Sequence, residues 1–207
     1  IPYNKDQNWL EQYGLIKKRN GKAVVANNIY KSIFVKTFFE EVNADGDISP
    51  QRYELPGNRL DMENILLDFE QYIAQIGVQA FYKEKKPYEK TGQFLLTAWL
   101  YQFVKGGWGE LRHEVRTGLG IMDIMLTYKG NRYIIETKVN RQFKITRTLN
   151  QGIAQVAVKY LASEFYHEGY LVIFDTKKPV GETCEPKDYP SGDKKVTVFI
   201  IAIGRDD

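Results

Sequence analysis

Residues 118–139, GLGIMDIMLTYKGNRYIIETKV, allow few local structures. Met122–Tyr128 and Tyr133–Val139 are rich in β-branched and aromatic residues and flank Gly130-Asn131. This pattern predicts two antiparallel strands joined by a tight turn. A two-residue loop with Gly first suits a type II′ turn, which sets Tyr128 opposite Tyr133, Met125 opposite Glu136 and Asp123 opposite Lys138. Side chains alternate with period two, so Asp123, Met125, Glu136 and Lys138 share one face. The other face carries Met122, Ile124, Leu126, Ile135, Thr137 and Val139, and is expected to be core.

Two carboxylates and one ammonium on a strand pair call for an explanation, because unpaired buried charge is costly. The simple one is a cross-strand ion pair of Lys138 with Asp123, with Glu136 at the sheet edge in water. The sharper one is a divalent metal site. Asp123 and Glu136 would be diagonal neighbours, and Mg²⁺ accepts one or two carboxylates completed by waters and phosphate oxygens. Mn²⁺ would substitute. Lys138 would then hold the attacking water or neutralise charge developing on a phosphate.

The rest of the chain surrounds this pair with ordinary globular material. Hydrophobic residues make up 43 % and the net charge is +3, which permits nucleic-acid binding without requiring it. A lone cysteine, Cys184, excludes an intramolecular disulfide framework and suits a reducing, cytoplasmic setting. No signal peptide is legible, and the longest apolar run, Val198–Ile203, is far too short for a bilayer. The chain starts Ile1-Pro2 rather than with Met, as expected of a processed protein or a piece of a longer one. It holds no Gly-rich phosphate loop, no zinc-type Cys/His set and no Ser-His-Asp triad pattern, so ATPase activity would lie outside it. Both histidines, His113 and His167, are expected to be structural.

In chain order, residues 4–16 predict a short helix, and Asn20-Gly21 a hairpin between Leu15 and Ala26. Residues 29–42 predict a second helix. Residues 43–59, with Gly46, Pro50, Pro56 and Gly57, are expected to be a linker between segment 1–42 and a domain over 60–207. Leu60–Gly77 predicts a helix capped by Asp61, with Ile65, Leu66, Phe69, Tyr72, Ile73 and Ile76 as its apolar stripe. Tyr88–Lys105 predicts another, ended by Gly106-Gly107. Strand Glu110–Thr117 precedes the central pair. Thr146–Ser163 predicts a crossover helix whose Leu149, Ile153, Val156, Ala157, Tyr160 and Leu161 face the sheet. Gly169–Asp175 reads as a strand buried on both faces, Thr176–Lys194 as a polar loop, and Lys195–Gly204 as the closing strand. Arg141, Lys144 and Arg147 could form a phosphate-tracking edge or a plain solvated one.

Asp123 followed by Glu136-Thr137-Lys138, within the order helix, three-stranded meander, helix, strand over residues 86–204, resembles the PD-(D/E)XK nuclease superfamily. More narrowly, Tyr88-Glu89-Lys90, Phe94-Leu95-Leu96, Gly106-Gly107, His113-Glu114-Val115 and Gly169–Asp175 resemble the C-terminal nuclease-like domain of bacterial AAA-ATPase-like proteins. The resemblance implies an α/β fold with an αβββαβ restriction-endonuclease-like core and a mixed sheet. It also implies Mg²⁺-dependent DNA cleavage and an ATPase partner. By the same resemblance Glu89 completes the metal set, with Glu114 as the alternative, although a carboxylate in a first helical turn also serves the helix dipole. Gln155 and Tyr160 match a Gln-x-x-x-x-Tyr-like feature, so Gln155 would orient water or phosphate, with Gln151 competing; Tyr160 is more a core residue with a tethered hydroxyl. Ile121 departs from the family, where a basic residue often stands. The N-terminal helix and hairpin resemble the end of a winged-helix module, whose Lys17, Lys18 and Arg19 would contact DNA phosphates. A nuclease-fold domain that binds nucleic acid or a partner without cutting, and a structural appendage that oligomerises an ATPase, are the competing expectations.

Overall fold

The computed structural model describes residues 16–19, 22–25, 50–76, 82–83, 86–87, 89–117, 120–161, 166 and 168–204, with side chains for 50–75, 90–116, 120–161, 166 and 168–204. The chain divides into two compact units, residues 1–47 and 48–207. In the first, β1 (Ile16–Arg19) pairs antiparallel with β2 (Lys22–Val25), as expected, with Arg19 opposite Lys22; the expected Asn20-Gly21 turn lies outside the described residues. The two helices expected there, and the side chains of Lys17, Lys18 and Arg19, lie outside the described residues.

The second unit is α/β, built on a six-stranded mixed sheet in the order β11-β12-β10-β9-β8-β7. Its strands are β7 (Gly109–Thr117), β8 (Gly120–Tyr128), β9 (Asn131–Asn140), β10 (Glu168–Pro179), β11 (Lys187–Ser191) and β12 (Lys194–Gly204). β7, β8 and β9 form an antiparallel meander. β10 runs parallel to both β9 and β12, so it is central and buried on both faces from Gly169 to Asp175. The expected polar loop 176–194 contains β11, a strand whose short polar sequence gave no period-two signal.

The expected linker is built structure from Pro50 on. A 3₁₀ turn, Pro50–Tyr53, leads into the small hairpin of β3 (Glu54–Leu55) and β4 (Arg59–Leu60). Buried Tyr53 packs edge-on against Phe103, and Lys129 Nζ binds Glu54 Oε1 at 2.6 Å. Helix α1 (Met62–Ile76) starts at Asp61, whose Oδ1 accepts from Asn64 N at 3.1 Å. A two-stranded ribbon, β5 (Tyr82–Lys83) with β6 (Lys86–Pro87), precedes helix α2 (Glu89–Tyr101). That helix is a turn shorter than expected, because Gln102–Trp108 tightens into turns.

Helices cover both faces of the sheet. On one, Phe69 of α1 meets Phe174 edge-on, and Gly92 of α2 lies against the same ring. On the other, the crossover runs as α3 (Thr146–Ala154) and then a π-helical segment, Gln155–Tyr160. Its Val156, Tyr160 and Leu161 pack with Met122, Ile134, Leu171 and Ile173, along the predicted stripe. No helix among the described residues is long and apolar enough to cross a membrane.

The central turn differs from the expected one. Tyr128 pairs with Asn131, so the loop is Lys129-Gly130 with φ of +45° and +92°, the signature of a type I′ turn. Asn131 is used elsewhere: its side chain donates to Gly57 O and Asn58 O at 3.3 and 3.0 Å. Lys129 is held in its left-handed conformation by Glu54, with its ammonium over the Trp108 and Tyr128 rings. The register moves by two residues, and an even shift keeps the expected faces along the paired rungs, Ile124–Tyr128 against Asn131–Ile135. Met122, past the last rung, packs instead with Ile134 and the crossover segment, which corrects its expected place on the Ile124 face.

One half-buried carboxylate outside the sheet yields a pH-dependent expectation. Burial pushes Glu70 on α1 up to about 6, against a hydrogen bond from the Cys184 backbone, and its Oε1 has no partner. Folding therefore favours the protonated form. This stability is complete below the ordinary carboxylate range and lost as pH rises through about 6. Glu70→Gln should raise stability by about 1–2 kcal/mol at pH 8 and leave it nearly unchanged at pH 4.5, read from urea midpoints.

Candidate functional site

The pairing of β8 with β9 runs from Tyr128–Asn131 to Ile124–Ile135 and stops there. Beyond that rung β8 stays with β7 as far as Thr117–Gly120, and β9 stays with β10 as far as Asn140–Asp175. The sheet is forked. Asp123 and Glu136 occupy the first positions past the last rung, at the apex of the fork.

Opening a ladder leaves backbone groups that need partners. Asp123 supplies one, since its Oδ2 accepts from Thr137 N at 2.9 Å and from Thr137 Oγ1 at 2.7 Å. Two side chains brace the arms from opposite faces. From α2, buried Gln93 donates Nε2 to Asp123 O at 3.2 Å. From the π segment, Tyr160 donates its hydroxyl to Ile121 O at 2.5 Å, and its oxygen lies 3.3 Å from Glu136 Oε2. One hydroxyl thus touches both arms. Gln155, at the other end of that segment, donates to Tyr160 Oη at 3.0 Å. Burial pushes the Tyr160 hydroxyl up to about 12, so it remains a donor at neutral pH. The fork also bends β7: Glu114, the residue level with Asp123, has φ +48° and drops out of the pairing, and it forms an ion pair with Lys90.

Glu136 is 1 % exposed, which corrects the expectation of a solvent-reachable carboxylate. The cause is the parallel neighbour: Glu136 aligns with Leu171 under the crossover helix, inside the sheet and not at its edge. Burial first, then the nearby Asp123 charge, push its carboxyl above the usual carboxylate range, while Lys138 and the Tyr160 hydroxyl pull the other way. Lys138 Nζ lies 2.5 Å from Glu136 Oε1 with a side chain 22 % exposed, so the ammonium stands between buried carboxylate and solvent. Lys138 therefore pairs with Glu136 and not with Asp123 as the simple expectation had it. Among the described residues Asp123 Oδ1 accepts no hydrogen bond. Two crowded carboxylates, one with an open oxygen, suit a hard cation. No group of three or more His, Cys, Asp or Glu side chains lies together among the described residues, so they offer two ligands and not three.

Gln155 belongs to the apex network, whereas its competitor Gln151 is exposed on α3. Glu89 opens α2 four residues before Gln93, and its side chain lies outside the described residues. Arg141, Lys144 and Arg147 are exposed on and just after the loop that leaves β9, and Ile121 is exposed on the β8 arm. His113 shares a 3.2 Å hydrogen bond with Thr97, consistent with a structural role; His167 is outside the described residues. Sequence reasoning missed Gln93 and Thr137. Strand alternation places Thr137 on the apolar face, and only an opened ladder brings its amide and hydroxyl to Asp123.

Residues 60–178, more than half of the chain, match a family described as a domain of unknown function (DUF8371). No curated protein matches the chain.

Proposed function

Because the chain belongs to the DUF8371 family, whose function is unknown, its chemistry must come from its own residues, and we propose that it is a Mg²⁺-dependent phosphodiesterase that cuts DNA on a PD-(D/E)XK-like αβββαβ core. One observation carries this reading. At the apex of the fork the open Asp123 Oδ1 and the electrostatically strained Glu136 stand beside the Lys138 ammonium at the edge of solvent.

Asp123 and Glu136 would hold the ion, with Glu89 as the third candidate ligand and Mn²⁺ as a substitute. When bound, Mg²⁺ supplies Lewis-acid polarisation of the phosphate and a lower pKa for a coordinated water. Lys138 acts on the transition state, by holding the attacking water or neutralising charge at the phosphorus oxygens. Tyr160 and Gln155 keep the two arms in place, and positioning of this kind matters because small displacements cost large factors in rate. Arg141, Lys144 and Arg147 contribute phosphate contacts, as Lys17, Lys18 and Arg19 would from the winged-helix-like segment. An ATPase partner and a cytoplasmic setting complete the proposal.

Metal binding should stabilise the fold by mass action, by about 2.7 kcal/mol at a hundredfold excess over Kd, or a Tm rise of about 5–11 °C. Asp123→Asn is the appropriate variant: it keeps an acceptor for Thr137 and removes the charge. It should abolish the metal-induced rise and the nicking of supercoiled DNA with Mg²⁺ or Mn²⁺. Equal metal shifts in wild type and variant would overturn the metal site.

One observation favours a second reading, a nuclease-fold domain that binds nucleic acid and is catalytically silent. Lys138 and Glu136 satisfy each other, and Asp123 Oδ2 and Tyr160 already serve the fold. DNA binding without nicking, in the presence of any ATPase partner, would select it.

A further inference from the structure

Phe143 is 91 % exposed, the most exposed of the large apolar side chains among the described residues. It sits midway along the loop that joins β9 to α3, between Arg141, Lys144 and Arg147, all exposed. From Thr137 to Ser163 the chain contains no Asp or Glu, so the loop presents charge of one sign.

The loop is rooted in buried polar contacts. Asn140, fully buried, donates Nδ2 to Gln142 O and to Asp175 Oδ1, both at 3.0 Å. Its Oδ1 accepts from Thr148 Oγ1 at 3.2 Å and Gln142 N at 3.3 Å, and its carbonyl accepts from Thr176 Oγ1 at 2.9 Å. Asp175, also buried, accepts from Lys177 N at 2.9 Å. The side chain of Asn140 thus clamps both ends of the loop against β10 while Phe143 is held outward in water. An aromatic ring amid cations on a fixed loop is what recognises a nucleic acid with accessible base faces: the cations meet phosphates and the ring stacks on a base.

We propose that Phe143 is a base-stacking residue and that the substrate class is single-stranded or locally unpaired DNA. Bases of an intact duplex already stack on one another and offer no free face to a side chain. This rests on the nuclease reading only for where the cut falls. Phe143 is five residues beyond Lys138, so their Cα atoms lie within about 17 Å of each other, a span of about five nucleotides along a strand.

The test is fluorescence anisotropy on the full chain in EDTA, with a labelled single strand of about 16 nucleotides and the matching blunt duplex. Wild type should prefer the single strand. Phe143→Ala should lose about 5- to 100-fold in single-strand affinity with Tm unchanged, and Phe143→Trp should retain it. The salt dependence of Phe143→Ala should match wild type, whereas Lys144→Ala should lower its slope by about 0.7. Equal binding of single strand and duplex by wild type, or wild-type affinity in Phe143→Ala, overturns the proposal. So does a Phe143→Ala variant that changes only sedimentation, which would make the ring a protein contact. Cleavage is not read in this assay. A chain that binds through Phe143 and cuts nothing keeps this inference and ends the nuclease reading; a chain that cuts intact duplex, with Phe143→Ala at wild-type rate, does the reverse.

Discussion

Lys138→Ala should slow DNA cleavage by about 10²- to 10³-fold, the scale of losing one preorganised electrostatic group, with little change in DNA affinity. In the proposed mechanism the ammonium would act on charge that exists only in the transition state, so kcat should fall and KM stay close to wild type. Loss of the cation has a second effect, because Glu136 is buried and Lys138 is what offsets its charge. A carboxyl whose folded-state pKa is raised adds stability below its unfolded pKa and loses it as pH rises through the folded one. Lys138→Ala should therefore be destabilised by about 1–3 kcal/mol at pH 8 and much less at pH 5. Adding Glu136→Gln should restore stability at pH 8 and leave cleavage as low as before. Single-turnover rates beside urea midpoints separate the two effects. A Lys138→Ala enzyme that cuts like wild type would end the mechanism proposed for this residue.

A stability effect of similar size is expected in the apolar layer between α2 and the sheet. A Cβ on Gly92 would stand 2.6 Å from Phe174 Cδ2 and 2.7 Å from its Cζ, and that ring is fully buried against Phe69. It has nowhere to turn. Gly92→Ala should cost about 1–3 kcal/mol net of the helix propensity it gains, a Tm drop of about 2–12 °C. Moving α2 outward also draws Gln93 from Asp123 O, so cleavage should fall in a protein that is still folded. Phe174→Leu should be less damaging in the Gly92→Ala background than alone, a coupling seen in a double-mutant cycle. Additive losses would show that the ring is not the obstacle.

Much of this architecture is legible in residue periodicity. The stripe of α1, the stripe of the crossover and the doubly buried β10 follow from apolar spacing, a local property. The central turn lies one residue earlier than Gly130-Asn131, because Asn131 suits a turn but is spent on Gly57 and Asn58, a contact more than 70 positions away. Parity protected the conclusion that Asp123 and Glu136 meet. The fork was not legible. β8 and β9 read as continuous strands, and what separates them is bracing by Gln93 and Tyr160 from helices remote in sequence. For the same reason Glu136 looked exposed: its burial comes from Leu171 and the π segment, not from its own strand. The π segment itself leaves no trace, since Gln155–Tyr160 reads as ordinary helix. The exposure of Phe143 likewise depends on the buried Asn140–Asp175 contact at the root of its loop.

The outer strands have a consequence for how copies of this chain meet. β7 places Glu110, Arg112, Glu114 and Arg116 at alternate positions, all exposed, and is kinked at Glu114. At the far end, β11 carries Lys187, Asp188 and Pro190, and proline offers no amide to a visiting strand. Charged side chains, a kink and a proline are obstacles to edge-to-edge sheet growth. The six-stranded sheet is thereby guarded at both rims against strand addition, so copies of the chain should not join through it into one continuous sheet.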